Sequence, residues 1–187
     1  MNKKRCPWAI GPLDIEYHDN EWGRETHNDQ MLFEYLILEG MQAGLSWSLI
    51  LKKRENFKRA FDNFDYNICA NYTDEYLESL REDASIIRNK LKIYSVRKNA
   101  LAFVEVQKEF GSFDKYIWKF TNYKKINNKL ESYKDAASES ELSAKISKDL
   151  KKRGFSFVGS TIIYSYMQAI GMINDHEKGC FCYKECC

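Results

Sequence analysis

Cysteine and histidine side chains that could bind a metal are concentrated near the two ends of this 187-residue chain. Near the start, Cys6 and His18 form a C-x11-H pair, and near the end His176 and Cys180 form an H-x3-C pair. Two thiolates and two imidazoles suit tetrahedral zinc with no open position, which is the pattern of a structural site. The spacing therefore predicts a zinc ion that ties the two ends together.

Other interpretations of these residues remain open. Isolated Cys and His side chains commonly pack in a core or lie on a surface without binding a metal, and Cys182 could compete with Cys180 for the same position. No apolar segment typical of a secretory signal follows the basic start, so we expect a cytoplasmic protein whose six cysteines are free thiols. The zinc would join segment 1–27 to segment 172–187 within one domain covering residues 1–187.

A carboxylate stands at the end of a strongly apolar run. Glu39 follows Leu36, Ile37 and Leu38 directly, so we expect its side chain to be at least partly buried. Burying a charge is costly unless a partner compensates it. The partner could be an Arg or Lys in an ion pair, or it could be a ligand that carries positive charge.

Aromatic residues and a glycine turn surround this carboxylate in the sequence. Flat rings can sandwich a purine, although each ring could equally belong to the core, and stacking contributes roughly 1–3 kcal/mol per base. Between Glu39 and Trp47, the pair Gly44 and Leu45 could form a turn with an exposed Leu that inserts into a stack of bases. The aromatic residues are Trp8, Tyr17, Trp22 and Trp47.

Helices must position these residues, because no segment alternates between apolar and polar residues with a period of two. We predict an all-α fold with a long amphipathic helix over 92–110 and a last apolar helix over 160–170. Both prolines, Pro7 and Pro12, precede the first predicted helix. Recognisable capping residues define the predicted helix starts and ends. The starts are Asn28 or Asp29, Ser46, Thr73 and the capping-box pattern Ser138-x-x-Glu141, and the ends are Gly111, Gly154 and Gly171.

Composition excludes two classes of protein. Hydrophobic residues make up 44% of the chain, which is too many for a disordered protein. The longest apolar stretch, 162–173, is interrupted by Ser165 and Gln168 and is too short to span a bilayer, so we expect no membrane partner. With 29 basic and 27 acidic residues, any surface that binds nucleic acid must be a local patch.

Taken in order, several strings resemble the DNA-3-methyladenine glycosylases of the constitutive, type I family. The resemblance runs from Cys6 to about Tyr183, which is nearly the whole chain. The strings are YHDNEWG at 17–23, LEGxQAGLSW at 38–47, LKKREN at 51–56, KKRGF at 151–155, FVG at 157–159 and NDH at 174–176.

The resemblance implies a helix-hairpin-helix DNA glycosylase fold and a DNA repair enzyme. Such an enzyme flips 3-methyladenine out of alkylated double-stranded DNA and hydrolyses its N-glycosidic bond, which is the first step of base excision repair. The resemblance also implies one structural zinc, a base pocket and a wedge that fills the stack, and we expect a monomer. The implied zinc ligands are Cys6, His18, His176 and Cys180, the pocket residues are Glu39, Tyr17, Trp47 and Trp8, and the wedge is Gly44 and Leu45.

The hairpin implied by the resemblance falls on residues 83–92, with Ser85, Arg88 and Lys90 as the residues that contact DNA. Hairpins of this superfamily favour glycine in the turn, because glycine accepts positive φ and allows close approach to a phosphate. This chain has Ser85 and Leu91 in that neighbourhood instead, which is a departure from the pattern.

Glu39 has a chemical role in this interpretation. Methylation at N3 makes adenine cationic and weakens the glycosidic bond, because the base then leaves as a neutral molecule. A buried carboxylate would favour the cationic base over neutral adenine, and we expect Glu39 to be the catalytic residue. Two alternatives remain: a zinc-stabilised helical protein that holds damaged DNA without cleaving it, and a thiol or metal-handling protein that uses the Cys-rich tail.

Overall fold

Helices dominate the computed structural model, which describes residues 3–187. The helices are α1 (Pro12–Asn20), α2 (Asp29–Gln42), α3 (Trp47–Ala60), α4 (Tyr66–Cys69), α5 (Asp74–Ser79), α6 (Lys90–Phe110), α7 (Phe113–Trp118), α8 (Glu141–Lys152) and α9 (Ser160–Ala169). Short 3₁₀ turns lie in the connections at Asp62–Phe64, Lys119–Thr121 and Tyr133–Asp135. None of the helices within residues 3–187 has the length and apolar character to cross a membrane.

Most predicted helix boundaries are confirmed by their capping hydrogen bonds. The side chains of Asn28, Ser46 and Thr73 each accept a bond from the backbone N–H three residues further on, and they begin α2, α3 and α5. Asn89 begins α6 in the same way, two residues before the predicted start, and Gly111 ends it with a φ of 86°. These caps satisfy N–H groups that have no partner inside the helix.

Two helix starts differ from the prediction. The predicted capping box at Ser138 and Glu141 is wrong, because Ser140 caps α8 and forms a reciprocal box with Ser143. Pro12 is the first residue of α1 and does not precede the first helix. Proline suits that position because the N–H that it lacks would have no helical partner there.

A short pair of strands corrects the all-α prediction to a mostly helical fold. Strand β1 (Ile126–Asn127) pairs in parallel with β2 (Ile173–Asn174). Two residues per strand are too few to show an alternating pattern in the sequence. The pairing holds the loop after α7 against the segment that leads to His176.

Helix α2 lies at the centre of the core, in agreement with its continuous apolar run. It packs against α3, α6, α7 and α9, and nine consecutive positions from 35 to 41, with 32 and 33, are buried. The C-terminal end of α2 therefore carries Glu39 from the core towards the turn at Gly44. The largest fully buried side chains around it include Trp118, Tyr35, Tyr116, Tyr166, Phe33, Phe57 and Phe103.

Candidate active site and metal centre

A cavity of about 180 Å³ lies where α1, α2, α3 and α9 meet. It brings together all four residues that the sequence analysis assigned to a base pocket. It also contains five residues that the analysis did not assign to it. The lining residues are Trp8, Tyr17, Trp22, Glu39, Gln42, Trp47, Tyr133, Ser165 and Gln168.

Glu39 is the ionisable residue at the bottom of this cavity, and its predicted burial is confirmed. The residue is 4% exposed, and its Oε2 atom is buried without a hydrogen-bond partner among residues 3–187. Burial raises the pKa of the Glu39 carboxyl to about 8. The ion pair with Arg or Lys that the sequence left open is not found within the described chain, because burial is the only influence on this pKa. The carboxylate is thus available to a ligand.

Aromatic rings form the walls of the cavity. The centroids of Tyr17 and Trp47 are 5.1 Å apart, and Trp8 contacts Tyr17 at 6.3 Å and Trp22 at 5.0 Å. The indole Nε1 atoms of Trp8 and Trp47 are buried and have no acceptor in the described part of the chain. Two free donors and one free carboxylate oxygen in an aromatic cavity can bind a flat, polar-edged heterocycle.

Four polar or aromatic lining residues were absent from the predicted site: Gln42, Tyr133, Ser165 and Gln168. Ser165 and Gln168 gave a signal, because they interrupt the apolar stretch three positions apart and so share one face of α9. Tyr133 gave none, because it reaches the cavity from the irregular segment between β1 and α8.

The turn after α2 has the form that a wedge requires. Gly44 has a φ of 76°, and Leu45 is 37% exposed although it is a large apolar residue. A side chain at position 44 would strain the backbone, because L-residues rarely adopt this conformation. The turn links Glu39 in α2 to Trp47 at the start of α3.

A second cluster lies behind the cavity, where the two ends of the chain meet. One donor atom from each of four buried residues lies within 4.8 Å of all the others, and these residues are His18, His176, Cys180 and Cys182. The N–H of Phe181 also donates to the carbonyl of Lys4 at 3.0 Å. The N- and C-terminal segments are therefore joined at a site that could hold a metal.

Hydrogen bonds orient both histidines of this cluster towards a common point. Nδ1 of His18 contacts Asp19 at 2.8 Å, and Nδ1 of His176 contacts the side-chain oxygen of Asn174 at 3.0 Å. These contacts leave each Nε2 free to act as a donor to a metal. Nε2 of His176 is buried and has no partner among residues 3–187, and burial lowers the pKa of His176 to about 3. A neutral imidazole with an unused lone pair fits a metal ligand.

Cys6 lies beside this cluster, and Cys182 lies within it. The thiol of Cys6 is hydrogen-bonded to Cys180, which lowers the pKa of Cys180 to about 4. The backbone N–H of Cys6 points at Nε2 of His18, 3.3 Å away. The thiol of Cys182 instead contacts the carbonyl of His18 at 3.8 Å. Sequence analysis placed Cys182 only as a competitor of Cys180, whereas the structure brings both thiols to the cluster.

The predicted hairpin lies in the connection between α5 and α6. No residue from 80 to 89 has a positive φ, which explains why the turn needs no glycine. The N–H of Ser85 donates to Asp83 at 2.8 Å, and its carbonyl accepts from Lys53 at 2.8 Å. Arg88 is exposed and forms no ion pair within residues 3–187, whereas the exposed Lys90 pairs with Glu78 at 2.8 Å.

Comparison with known protein sequences identifies relatives along nearly the whole chain. The sequence profile of the methyladenine glycosylase family matches residues 8–183. DNA-3-methyladenine glycosylase 1 of Escherichia coli K12 is 44% identical over 181 residues, which cover 96% of this chain and 97% of that protein. DNA-3-methyladenine glycosylase of Haemophilus influenzae is 41% identical over 180 residues, which cover 95% and 97%.

Solved structures agree with these sequence matches. A crystal structure of 3-methyladenine DNA glycosylase I has a TM-score of 0.94 at 42% identity, and the match covers 96% of this chain and 100% of that one. A Staphylococcus aureus 3-methyladenine DNA glycosylase I, solved to explain 3-methyladenine recognition, has a TM-score of 0.92 at 31% identity with 95% of each chain covered. The chain therefore belongs to the methyladenine glycosylase family.

Proposed function

We propose that this protein is a DNA repair glycosylase that hydrolyses the N-glycosidic bond of 3-methyladenine in alkylated DNA, the first step of base excision repair. Its family and the activity of its relatives support this class of reaction. The observation that carries the assignment is Glu39, a buried carboxylate with an unpartnered oxygen in an aromatic cavity.

Glu39 selects the damaged base by charge. Adenine methylated at N3 is cationic while it is attached to the sugar, and an undamaged adenine is neutral. In the empty cavity burial favours the protonated carboxyl, as the raised pKa of Glu39 indicates. A cationic base restores the charged form, because opposite charges in a low-dielectric site stabilise each other. Neutral adenine brings no such compensation.

The aromatic walls hold the plane of the base. Tyr17 and Trp47 stand next to each other in the cavity and offer stacking surfaces, and the free indole N–H groups of Trp8 and Trp47 can donate to nitrogen atoms at the base edge. The glycosidic bond of the methylated base is already weak. The protein therefore accelerates the reaction mainly by extracting the base and fixing its orientation relative to water.

Contacts with double-stranded DNA come from two turns. Leu45, presented by Gly44, fills the space that the flipped base leaves in the stack. Ser85, Arg88 and Lys90 in and after the 80–89 hairpin contact phosphates, which gives affinity without reading the base sequence. Both turns lead directly into helices whose caps fix their geometry.

The buried cluster behind the cavity holds one structural zinc in this proposal. The ligands are His18, His176, Cys180 and Cys6, which is the set expected from the sequence. Cys6 is favoured over Cys182 because its thiol already contacts Cys180, whereas the Cys182 thiol has the His18 carbonyl as a partner. Zinc bound by four protein ligands has no open position, so the metal would stabilise the joined ends and take no part in hydrolysis.

The proposed activity is tested by incubating the purified protein with methylated double-stranded DNA and measuring released 3-methyladenine by chromatography. We expect wild type to release the base and the Glu39→Gln variant to release it more slowly, though not at zero rate, because the bond is already weak. DNA binding without release of any base by the wild-type protein would contradict the proposal and favour a binding module.

A further inference from the structure

A buried lysine connects the start of α6 to the turn that carries Leu45. Lys92 lies in the first turn of α6 and is 6% exposed. Its Nζ atom donates to the carbonyl oxygen of Met41 at 2.8 Å and to that of Ala43 at 2.6 Å. These two residues are at the C-terminal end of α2, immediately before Gly44.

The end of α2 needs such a donor. The last carbonyls of a helix have no partner within the helix and carry partial negative charge. Helix α2 has no basic residue in its own last turn. The ammonium group of Lys92 therefore performs from α6 the capping that α2 does not provide for itself.

The positive charge of Lys92 has a cost that packing alone would not require. A buried ammonium is unfavourable unless its hydrogen bonds are satisfied. No carboxylate among residues 3–187 affects Lys92, so its recorded partners are the carbonyls at the end of α2. A methionine could fill a similar volume without this cost, which indicates that the contact with the α2 carbonyls is the purpose of the charge.

The main chain of Lys92 is fixed on the other side by the hairpin. Its N–H donates to the side chain of Asn89 at 3.1 Å, which is the cap that begins α6 directly after the 80–89 connection. One residue thus contacts the hairpin through its backbone and the end of α2 through its side chain. The separation between the hairpin and the Gly44–Leu45 turn is set by this residue.

We propose that Lys92 is a positioning residue for base flipping, which holds the Gly44–Leu45 turn in register with the phosphates bound by the 80–89 hairpin. The proposal rests on the proposed function, in which both turns contact the same duplex. Lys92 touches neither the base nor the reacting atoms. Its removal should therefore impair extraction of the base from a duplex and leave the base cavity able to bind free base.

The test compares Lys92→Met with Lys92→Arg, which keeps charged donors, and with Lys98→Met, an exposed lysine of the same helix. Single-turnover release of 3-methyladenine from methylated duplex DNA and binding of free 3-methyladenine, followed by tryptophan fluorescence, are measured for each. We expect Lys92→Met to slow release by about tenfold or more, as loss of a charged hydrogen bond implies. Lys92→Arg should recover most of the rate, and Lys98→Met should match wild type.

A double variant separates positioning from general damage. If Lys92 acts through the wedge, Leu45→Ala combined with Lys92→Met should be no slower than the slower single variant. Multiplied losses in the double variant, or an equal loss of affinity for free base in Lys92→Met, would contradict the proposal. If Lys92→Met does not fold, Lys92→Gln, which keeps a neutral donor, takes its place in both comparisons. Absence of release by wild type and Lys98→Met alike would refute the proposed function instead.

Discussion

Glu39 differs from the other buried carboxylates of the chain because its charge has no partner. Glu34, on the same helix, pairs with Arg54 at 2.7 Å, and the buried Asp175 accepts from Tyr164 and Gln168. The sequence indicated that Glu39 would be buried, but it left an ion pair and a cationic ligand as equal alternatives. That choice could not be made from the sequence, because a basic partner could have come from any distant segment.

This difference predicts a specific dependence of stability on pH. Folding raises the pKa of Glu39 from 4.5 to about 8, so the folded state binds this proton more tightly than the unfolded state. The free energy of unfolding should fall as pH rises between these values, and Glu39→Gln should lack that fall. Each tenfold change in ionisation equilibrium is worth about 1.4 kcal/mol, so the variant should exceed wild type by a few kcal/mol above pH 8.

Urea denaturation at several pH values measures this difference, with Glu34→Gln as the matched control. The control leaves Arg54 with one partner fewer, because Arg54 also pairs with Glu21. It should therefore lose stability at neutral and alkaline pH. A Glu39→Gln variant that is less stable than wild type at pH 9 would show that Glu39 is a paired structural carboxylate.

At the scale of the helices, local sequence signals were sufficient where a cap or a glycine marked the boundary. Asn28, Ser46, Thr73 and Gly111 all function as predicted. Helix α1 was not predicted, because its apolar positions do not follow a clear helical period and its main signal is Pro12 at the first turn. The β1–β2 pair depends on contact between segments more than 40 residues apart, which no local pattern encodes.

The turn between α2 and α3 gives a prediction at this scale. Leu45→Ala should reduce release of base from duplex DNA by about tenfold or more, because unstacking a step costs a few kcal/mol that the wedge offsets. Affinity for free 3-methyladenine should stay close to that of wild type, since Leu45 does not line the cavity. Leu101→Ala, which truncates an exposed Leu of α6, is the control. Unchanged release from duplex DNA by Leu45→Ala would remove the wedge assignment.

In the whole molecule, the metal cluster and the base cavity share one wall. Trp22 lines the cavity and contacts His176, with ring centroids 4.5 Å apart, and Trp8 contacts His18 at 5.3 Å. The joined termini therefore support two tryptophans of the cavity. Cys and His residues more than 150 positions apart suggested a shared site from the sequence. Only the folded chain shows that Cys182 also reaches it.

Loss of the metal should therefore weaken the whole fold. We expect about one zinc per chain in the purified protein. Cys180→Ala and His176→Ala should lose the zinc and lower the melting temperature by about 10 °C or more, because binding energy at a structural site is folding energy. Elemental analysis and thermal melts measure both effects.

Three further cysteine variants serve as comparisons for the ligand set. Cys69→Ala removes a buried thiol outside the cluster, so it should keep the zinc whatever it does to stability. Cys6→Ser should lose zinc and Cys182→Ser should retain it. Full zinc retention in both Cys180→Ala and His176→Ala would exclude these residues from the site, and the reverse result for Cys6 and Cys182 would exchange their roles.

The central claim is that Glu39 recognises the methylated base, and an equilibrium titration of free 3-methyladenine against wild type and Glu39→Gln tests it most directly. Glutamine keeps the shape and removes the charge. Because a hydrogen bond to a charged group contributes roughly 1.5–3 kcal/mol, we expect affinity to fall by about tenfold to a hundredfold while the variant melts at or above the wild-type temperature at neutral pH. Unchanged affinity, above all in a variant that has lost stability, would contradict the account and leave Glu39 as a structural residue.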